Sequence, residues 1–181
     1  MHKRHNNEAY KPTAVPTALK LIENKRIQED DRVTAGLEKI EVRLENLSAL
    51  HFVGVRVSPP GHDVAAIKAL WDQLEAKLPE IENRIHEGVT YEVSDDKFAV
   101  AVAVSDIGRV PEGLVAISIP AGDYAVFHFE EKYIGDFWSS FCPNPENKQK
   151  YRLNYATPRF EVFHQDLQPN GYTEVYIPTT D

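Results

Sequence analysis

The chain has 181 residues, 42% of them hydrophobic, and carries a formal net charge of −8. The length fits one domain, or two small halves sharing a core, and the hydrophobic share excludes a disordered chain. The acidic balance argues against a nucleic-acid surface, which needs basic side chains to neutralise phosphates, and is compatible with cationic ligands.

Cysteine content and hydropathy predict the compartment. Cys142 is the single cysteine, so an internal disulfide is impossible and a reducing environment is favoured. No apolar run is long enough to span a bilayer, and the polar N-terminus does not look like a signal peptide. We therefore predict a cytoplasmic protein without membrane contact.

The first 36 residues differ from the rest, because they carry a net charge of +2 whereas the remainder carries −10. Pro12 and Pro16 interrupt this arm, and Thr17 can cap a short helix. Three interpretations of this arm stay open: a flexible leader, a docking helix for a protein partner, or an expression remnant. The arm is too short for a helix-turn-helix. We place the main domain at residues 37–181.

The main domain opens with two predicted strands. Ile40, Val42 and Leu44 alternate with charged residues, as in a strand with one buried face. A second strand is predicted over Leu50–Val57, and it ends at a Pro-Pro-Gly turn.

A long amphipathic helix is predicted next, over residues 64–84. Asp63 can cap it, and apolar side chains, Trp71 among them, recur at helical spacing. Pro79 lacks the N–H that a helix needs, so a break is expected near Leu78. Trp71 on this stripe is typical of a core residue, although its indole could also line a cavity between helix and sheet.

Two further strands, 88–93 and 97–104, are predicted to form a hairpin. In the second of them Ala99, Ala101 and Ala103 share one face. Three small side chains in a row favour close packing of a helix against that face, or leave room for a ligand.

The second half repeats this order. Strands are predicted at 114–119 and 124–129, an amphipathic helix at 133–141, a polar insert at 144–149, and strands at 155–163 and 172–177. The order strand, strand, helix, strand, strand thus occurs twice, without visible sequence identity between the halves. Two such units side by side predict an α+β fold with an antiparallel sheet, helices on one face and a ligand cleft between the half-domains.

One charged residue stands in the middle of an apolar strand, in the run Phe160-Glu161-Val162-Phe163. A carboxylate there is costly to bury unless a cation or a hydrogen-bond donor meets it. The spacing leaves two readings: an exposed glutamate on the wet face of the sheet, or a buried functional carboxylate.

Three segments carry a family resemblance: Pro-Glu-Gly with Ile-Pro-Ala-Gly-Asp-Tyr within 110–127, Phe-Glu-Val-Phe at 160–163, and Thr-Glu-Val-Tyr-Ile-Pro at 173–178. Together they resemble the GyrI-like superfamily, also called the AraC-type or bacterial transcription activator effector-binding domain. Residues 70–71 and 81–85 are similar to its stand-alone branch, which includes integron cassette proteins that bind cationic drugs.

The resemblance implies two βαββ-type half-domains related by a pseudo-two-fold axis, with an aromatic pocket between them. The family's pocket glutamate falls on Glu161, whose charge would attract lipophilic cations while aromatic rings supply cation–π contacts. The expected ligand-binding residues are Glu161, Trp71, Trp138, Phe163, Tyr176, Phe52, Phe127 and Tyr91. No cofactor is expected, and no metal, since the histidines lack ligand spacing.

The leading hypothesis is a binding module for amphipathic, cationic small molecules, with a sensor or sequestering role and no DNA-binding domain of its own. The alternative is a hydrolase of strained, cyclopropanoid-type electrophiles, with Glu161 as general base assisted by Tyr155 or Tyr176. A third hypothesis is that the chain inhibits a protein, as gyrase inhibitors do, with an acidic surface that imitates DNA. The acidic residues, however, form no visible stripe along the sequence. A salt bridge from Arg56 or Arg159 would instead make Glu161 structural.

Overall fold

The computed structural model describes residues 39–58, 64–164 and 171–180, which form an eight-stranded antiparallel sheet with helices against one face. The strands are β1 (Glu41–Leu47), β2 (Leu50–Val57), β3 (Val89–Ser94), β4 (Phe98–Val104), β5 (Val115–Ile119), β6 (Gly122–Glu130), β7 (Arg159–His164) and β8 (Tyr172–Pro178). The helices are α1 (Val64–Lys77), α2 (Ile134–Asp136) and α3 (Pro145–Lys150). The predicted α+β class is confirmed.

The strand order is β1-β6-β8-β7-β3-β4-β2-β5. Each half contributes three adjacent strands, and the first strand of each half lies against the other half: β1 pairs with β6, and β5 pairs with β2. The order is therefore symmetric about the β7–β3 pair. This places the pseudo-two-fold axis between β3 and β7, so that residues near the middle of these strands face their counterparts.

The helix of the first half is shorter than the sequence suggests. It ends at Lys77 and is followed by a 3-10 turn, Leu78–Glu80, so the break caused by Pro79 is confirmed. The extension to residue 84 is wrong, because Asn83 has a φ of 57° and leaves the helical region. The residues of the N-terminal arm and the Asp63 cap lie outside the described part of the chain.

In the second half, several short helical segments stand where the sequence predicts a single helix over 133–141. A 3-10 turn, Glu131–Tyr133, leads into α2, and a π-helical turn, Phe137–Phe141, follows. The polar insert is itself helical: the Asn144 side chain accepts a hydrogen bond from the Glu146 N–H at 2.9 Å and caps α3. Across the described residues, no helix is both long and apolar enough to cross a membrane.

The small residues of β4 do not face a helix, which corrects the helix-packing interpretation. Ala99, Ala101 and Ala103 lie in a cluster with Phe52 and Phe160, whereas Leu70 and Leu74 of α1 pack on the valine face of β4. The rings of Phe52 and Phe160 are 6.0 Å apart although two strands separate β2 from β7. The sheet is therefore strongly curved, and the alanines allow its concave side to close on itself.

Gly54, which pairs with Ala101, leaves no room for a side chain against β4. A Cβ at position 54 would stand 2.1 Å from the Val100 carbonyl oxygen and 2.6 Å from Ala101 Cα, both in the backbone of β4. We expect Gly54→Ala to lower the free energy of unfolding by about 3 kcal/mol or more, because backbone cannot yield as a side chain can.

Thermal or urea unfolding measures this effect. Gly122→Ala is the matched control, since Gly122 also lies in a strand and a Cβ there has no neighbour within 4 Å. A Gly54→Ala variant as stable as the Gly122→Ala variant would contradict the close approach of β2 and β4.

Candidate functional site

Two carboxylates stand side by side at the centre of the sheet. Glu92 of β3 and Glu161 of β7 are direct cross-strand partners on the pseudo-two-fold axis. The row that contains them runs across seven strands and is otherwise apolar: Val42, Phe127, Val175, Glu161, Glu92, Val100 and Val55. Side chains directly opposite in such a pair have their Cβ atoms about 5 Å apart. The two carboxyl groups therefore meet on the face that the helices cover.

Two indoles cover the carboxylate pair, one from each half. Trp138 donates a hydrogen bond from Nε1 to Glu161 Oε1 at 2.6 Å, and Trp71 of α1 donates to the Glu92 carboxylate. The Trp71 ring also meets the edge of Phe163 at 5.8 Å between centroids. The site thus consists of two similar Trp–Glu units, each supplied by a different half-domain.

The π-helical turn orients Trp138. The Cys142 N–H donates to the Phe137 carbonyl at 2.8 Å, the five-residue bond that defines this turn. Phe137 and Phe141 are buried and both contact Phe127. With those two rings anchored in the core, the widened turn directs the intervening Trp138 toward β7. Single π turns of this kind occur frequently at functional sites.

Glu161 has no cationic partner within salt-bridge distance among the described residues. It is 7% exposed, and its Oε2 atom has no hydrogen-bond partner. Arg159, the nearer candidate, instead lies over the rings of Trp138 and Tyr155, at 5.4 and 5.9 Å from their centroids. Arg56 forms ion pairs with Asp95 and Asp96. The predicted structural role for the carboxylate, neutralisation by an arginine, is therefore not observed.

Burial and mutual repulsion both oppose ionisation of the pair. Burial, and then the neighbouring charge of Glu92, raise the pKa of Glu161 well above its usual value, against the smaller opposing effects of Trp138 and Arg159. Burial likewise raises the pKa of Glu92 to about 7, although the Trp71 hydrogen bond opposes it. Ionising both members of such a pair is therefore harder than ionising one isolated carboxyl, and the two groups titrate together.

Glu174 of β8 shows what a structural glutamate looks like in this sheet. It lies on the opposite face, where Arg43 approaches it at 2.8 Å and the Tyr176 hydroxyl donates to it at 2.7 Å. Burial opposes its ionisation, but side-chain hydrogen bonds and the charge of Arg43 outweigh burial and lower the pKa of Glu174 to about 2. The contrast identifies Glu161 as the carboxylate left without a partner charge.

The predicted aromatic set divides between the two faces. Trp71, Trp138 and Phe163 lie with Glu161, and Phe127 lies on the same face but deeper, under the rings that anchor the π turn. Three others lie in the concave cluster on the opposite face, which corrects their assignment to the ring set around Glu161: Phe52, Tyr91 and Tyr176. The reason is register, since Val175, not Tyr176, stands opposite Glu161.

The two hydroxyls invoked for catalysis are engaged elsewhere. Tyr155 donates to the Cys142 carbonyl at 2.8 Å, and Tyr176 donates to Glu174. Burial raises the pKa of the Cys142 thiol to about 11, so this cysteine is a poor nucleophile. Within the described ranges, no three His, Cys, Asp or Glu side chains are grouped to hold a metal ion.

The sequence analysis missed Glu92, although the same signal marks it. Tyr91-Glu92-Val93 in β3 repeats the arrangement of Phe160-Glu161-Val162 in β7, a glutamate between an aromatic and a β-branched residue. It also missed Glu131, whose charge acts on both carboxylates. Glu131 lies in a short 3-10 turn, where no periodic pattern could single it out.

The fold defines a class of proteins. The sheet with its two half-domains is that of GyrI-like effector-binding proteins. The chain belongs to the family of integron-associated effector binding proteins, whose Cass2 family model matches residues 43–179. No curated protein matches the chain by sequence.

Solved structures share the fold at low sequence identity. SAV2435 bound to tetraphenylphosphonium is similar with a TM-score of 0.55 and 15% identity, over 77% of this chain and 94% of that one. An integron cassette protein of Vibrio cholerae gives a TM-score of 0.50 and 16% identity, over 77% and 95% of the two chains. The C-terminal domain of EcmrR gives 0.58 and 11%, over 77% and 96%.

Proposed function

We propose that this protein binds lipophilic organic cations at Glu161, between Trp71, Trp138 and Phe163. The observation that carries the proposal is the buried Glu161 carboxylate, whose Oε2 atom has no partner. A buried carboxylate is normally paired, because an uncompensated charge in a low-dielectric interior is costly. A ligand cation would supply the missing partner.

The charge around the site favours a cation. Glu92 and Glu131 add negative potential to that of Glu161, and Arg159 is the cation that acts on Glu161 from within the described chain. The cation–π contacts of Arg159 with Trp138 and Tyr155 indicate that these ring faces already accommodate a delocalised positive charge. A bulky aromatic cation would use the same attraction.

Ligand entry requires the indoles to move. Glu161 is covered, whereas Trp71 and Trp138 are partly exposed and lie above the carboxylates. Each indole is held to the site by a hydrogen bond to a carboxyl group that a ligand cation would compete for. We propose that the two side chains swing outward and stack on the entering cation, a change of side-chain rotamer of the kind that often accompanies binding.

Tryptophan fluorescence tests the proposal directly, because the chain has two tryptophans and both cover the carboxylates. We expect tetraphenylphosphonium to change the emission saturably, with a calorimetric stoichiometry of about one per chain and a micromolar Kd, in the ordinary range for such sites. Neutral triphenylphosphine oxide is the control ligand. Equal responses to the two compounds, or none to either, would overturn the proposal.

The hydrolase alternative uses the same carboxylate but has less support. A raised pKa suits Glu161 for a general base. However, among the described residues no tyrosine hydroxyl reaches it, since Tyr155 and Tyr176 donate to other acceptors. We therefore propose a sensor or sequestering role in the cytoplasm rather than turnover.

A further inference from the structure

The proposed cation site contains two carboxyl groups, whereas a monocation needs one. Glu92 and Glu161 face each other across β3 and β7, and each receives one indole N–H. The arrangement repeats about the pseudo-two-fold axis, so each half-domain presents one carboxyl and one tryptophan to the same space. The Glu161 side chain is more than nine-tenths buried and its Oε2 atom has no partner, which marks this pair as a site rather than a surface cluster of acidic residues.

We propose that the preferred ligands are flat aromatic dications with approximate two-fold symmetry, which place one positive charge toward Glu92 and one toward Glu161, and that binding ionises both carboxyls with release of a proton. This inference rests on the proposed function, because it assumes that Glu161 receives ligand charge. To that function it adds the ligand's number of charges, its shape and the proton released on binding.

The charges around the pair support this assignment. Glu131, in the turn that follows β6, adds a third negative charge that acts on both carboxyls, and Arg159 of β7 acts on Glu161 in the opposite sense. The groups packed above the pair are the neutral indoles from α1 and from the π turn, with the protonated Cys142 thiol and the Tyr155 hydroxyl beside them. A dication can therefore ionise both carboxyls without any rearrangement of protein charges.

The shape argument comes from the indoles. A flat electron-poor ring stacks well on tryptophan, and two tryptophans from opposite halves suit a ligand with two such rings. A tetrahedral monocation can meet both indoles, but it neutralises one carboxylate and leaves the other carboxyl protonated.

The matched probes are methyl viologen, a bipyridinium dication, and N-methyl-4-phenylpyridinium, which has the same outline with one charge. At pH 7.5 we expect methyl viologen to bind at least about tenfold more tightly. Calorimetry in two buffers of different ionisation enthalpy should show release of about one proton per methyl viologen and close to none per phenylpyridinium. A charge-transfer absorption band would report stacking on the indoles.

Glu92→Gln separates the roles of the two carboxyls. It should weaken methyl viologen binding by about tenfold and remove the proton release, whereas phenylpyridinium, which needs one carboxylate, should lose no more than about twofold in affinity. Glu75→Gln, an exposed position on α1, is the control. Should the Glu92 variant fail to fold, the proton count in the unmodified protein still decides.

Two outcomes overturn the inference in different ways. Equal affinity for the two probes, without proton release, refutes the dication preference and leaves the proposed function intact if Glu161→Gln still abolishes phenylpyridinium binding. Absence of binding by both probes and by tetraphenylphosphonium refutes the proposed function together with the inference.

Discussion

Tetraphenylphosphonium should bind the Glu161→Gln variant about 100-fold more weakly than the unmodified protein, a loss of about 3 kcal/mol. The amide keeps the shape of the side chain and its hydrogen bond with Trp138, but it removes the charge that a desolvated cation would need. Isothermal titration calorimetry, supported by tryptophan emission, gives the two dissociation constants.

Glu174→Gln is the informative control for this variant, because Glu174 is also a strand glutamate but is paired with Arg43 on the opposite face. We expect it to lower thermal stability and to change the affinity by no more than about twofold, less than 0.5 kcal/mol. Glu161→Gln should instead weaken ligand binding strongly and raise thermal stability at pH 8. Equal losses of affinity in the two variants would mean that general acidity, not Glu161, attracts the ligand.

The stability of the unliganded protein should fall as the pH rises from about 5 to 8. The unfolded chain releases the proton of Glu92 near the ordinary value of 4.5, whereas the folded protein retains it until about 7. Between these values the folded state binds more protons, so its stability decreases with pH. The difference corresponds to about 3 kcal/mol, or a fall in Tm of roughly 6–12 °C for a chain of this size.

Glu161 adds to this fall, because burial and the charge of Glu92 raise its pKa too. Glu174 has the opposite sign: its pKa is lowered to about 2, so its contribution is present above 4.5 and is lost in acid. A stability optimum near pH 5 follows. Calorimetric unfolding across the pH range measures it, and the Glu92→Gln/Glu161→Gln double variant should show a nearly flat profile from pH 5 to 8. An unmodified protein that gains stability over that interval would contradict the raised pKa values of the buried pair.

Local chemistry made several features predictable from sequence. Pro79 ends α1 because it lacks an N–H, wherever the helix packs. Glu161 stands out because a carboxylate between apolar neighbours in a strand is unusual, and the structure does bury it. The repeated order of strands and helices led to the two-half architecture, which depends on pattern rather than on particular contacts.

Features that depend on register were less predictable. Alternation along β8 places Tyr176 on the same face as Glu174. Only the pairing of β7 with β8 shows that Val175 is the residue beside Glu161. The alanine face of β4 was assigned to a helix because small residues suit close packing, whereas here they allow the sheet to curve. The π turn that orients Trp138 has no characteristic sequence pattern, and it arises from the burial of Phe137 and Phe141.

The central claim is that the Glu161 carboxyl group, which has no partner charge, binds the ligand cation. The most direct measurement is a thermodynamic cycle of tetraphenylphosphonium and triphenylphosphine oxide against the unmodified protein and Glu161→Gln. We expect a coupling free energy of at least about 2 kcal/mol between the ligand charge and the carboxylate. The affinity for the phosphine oxide should hardly change on substitution. A coupling close to zero, with both ligands weakened alike, would contradict the claim and reduce Glu161 to a packing residue.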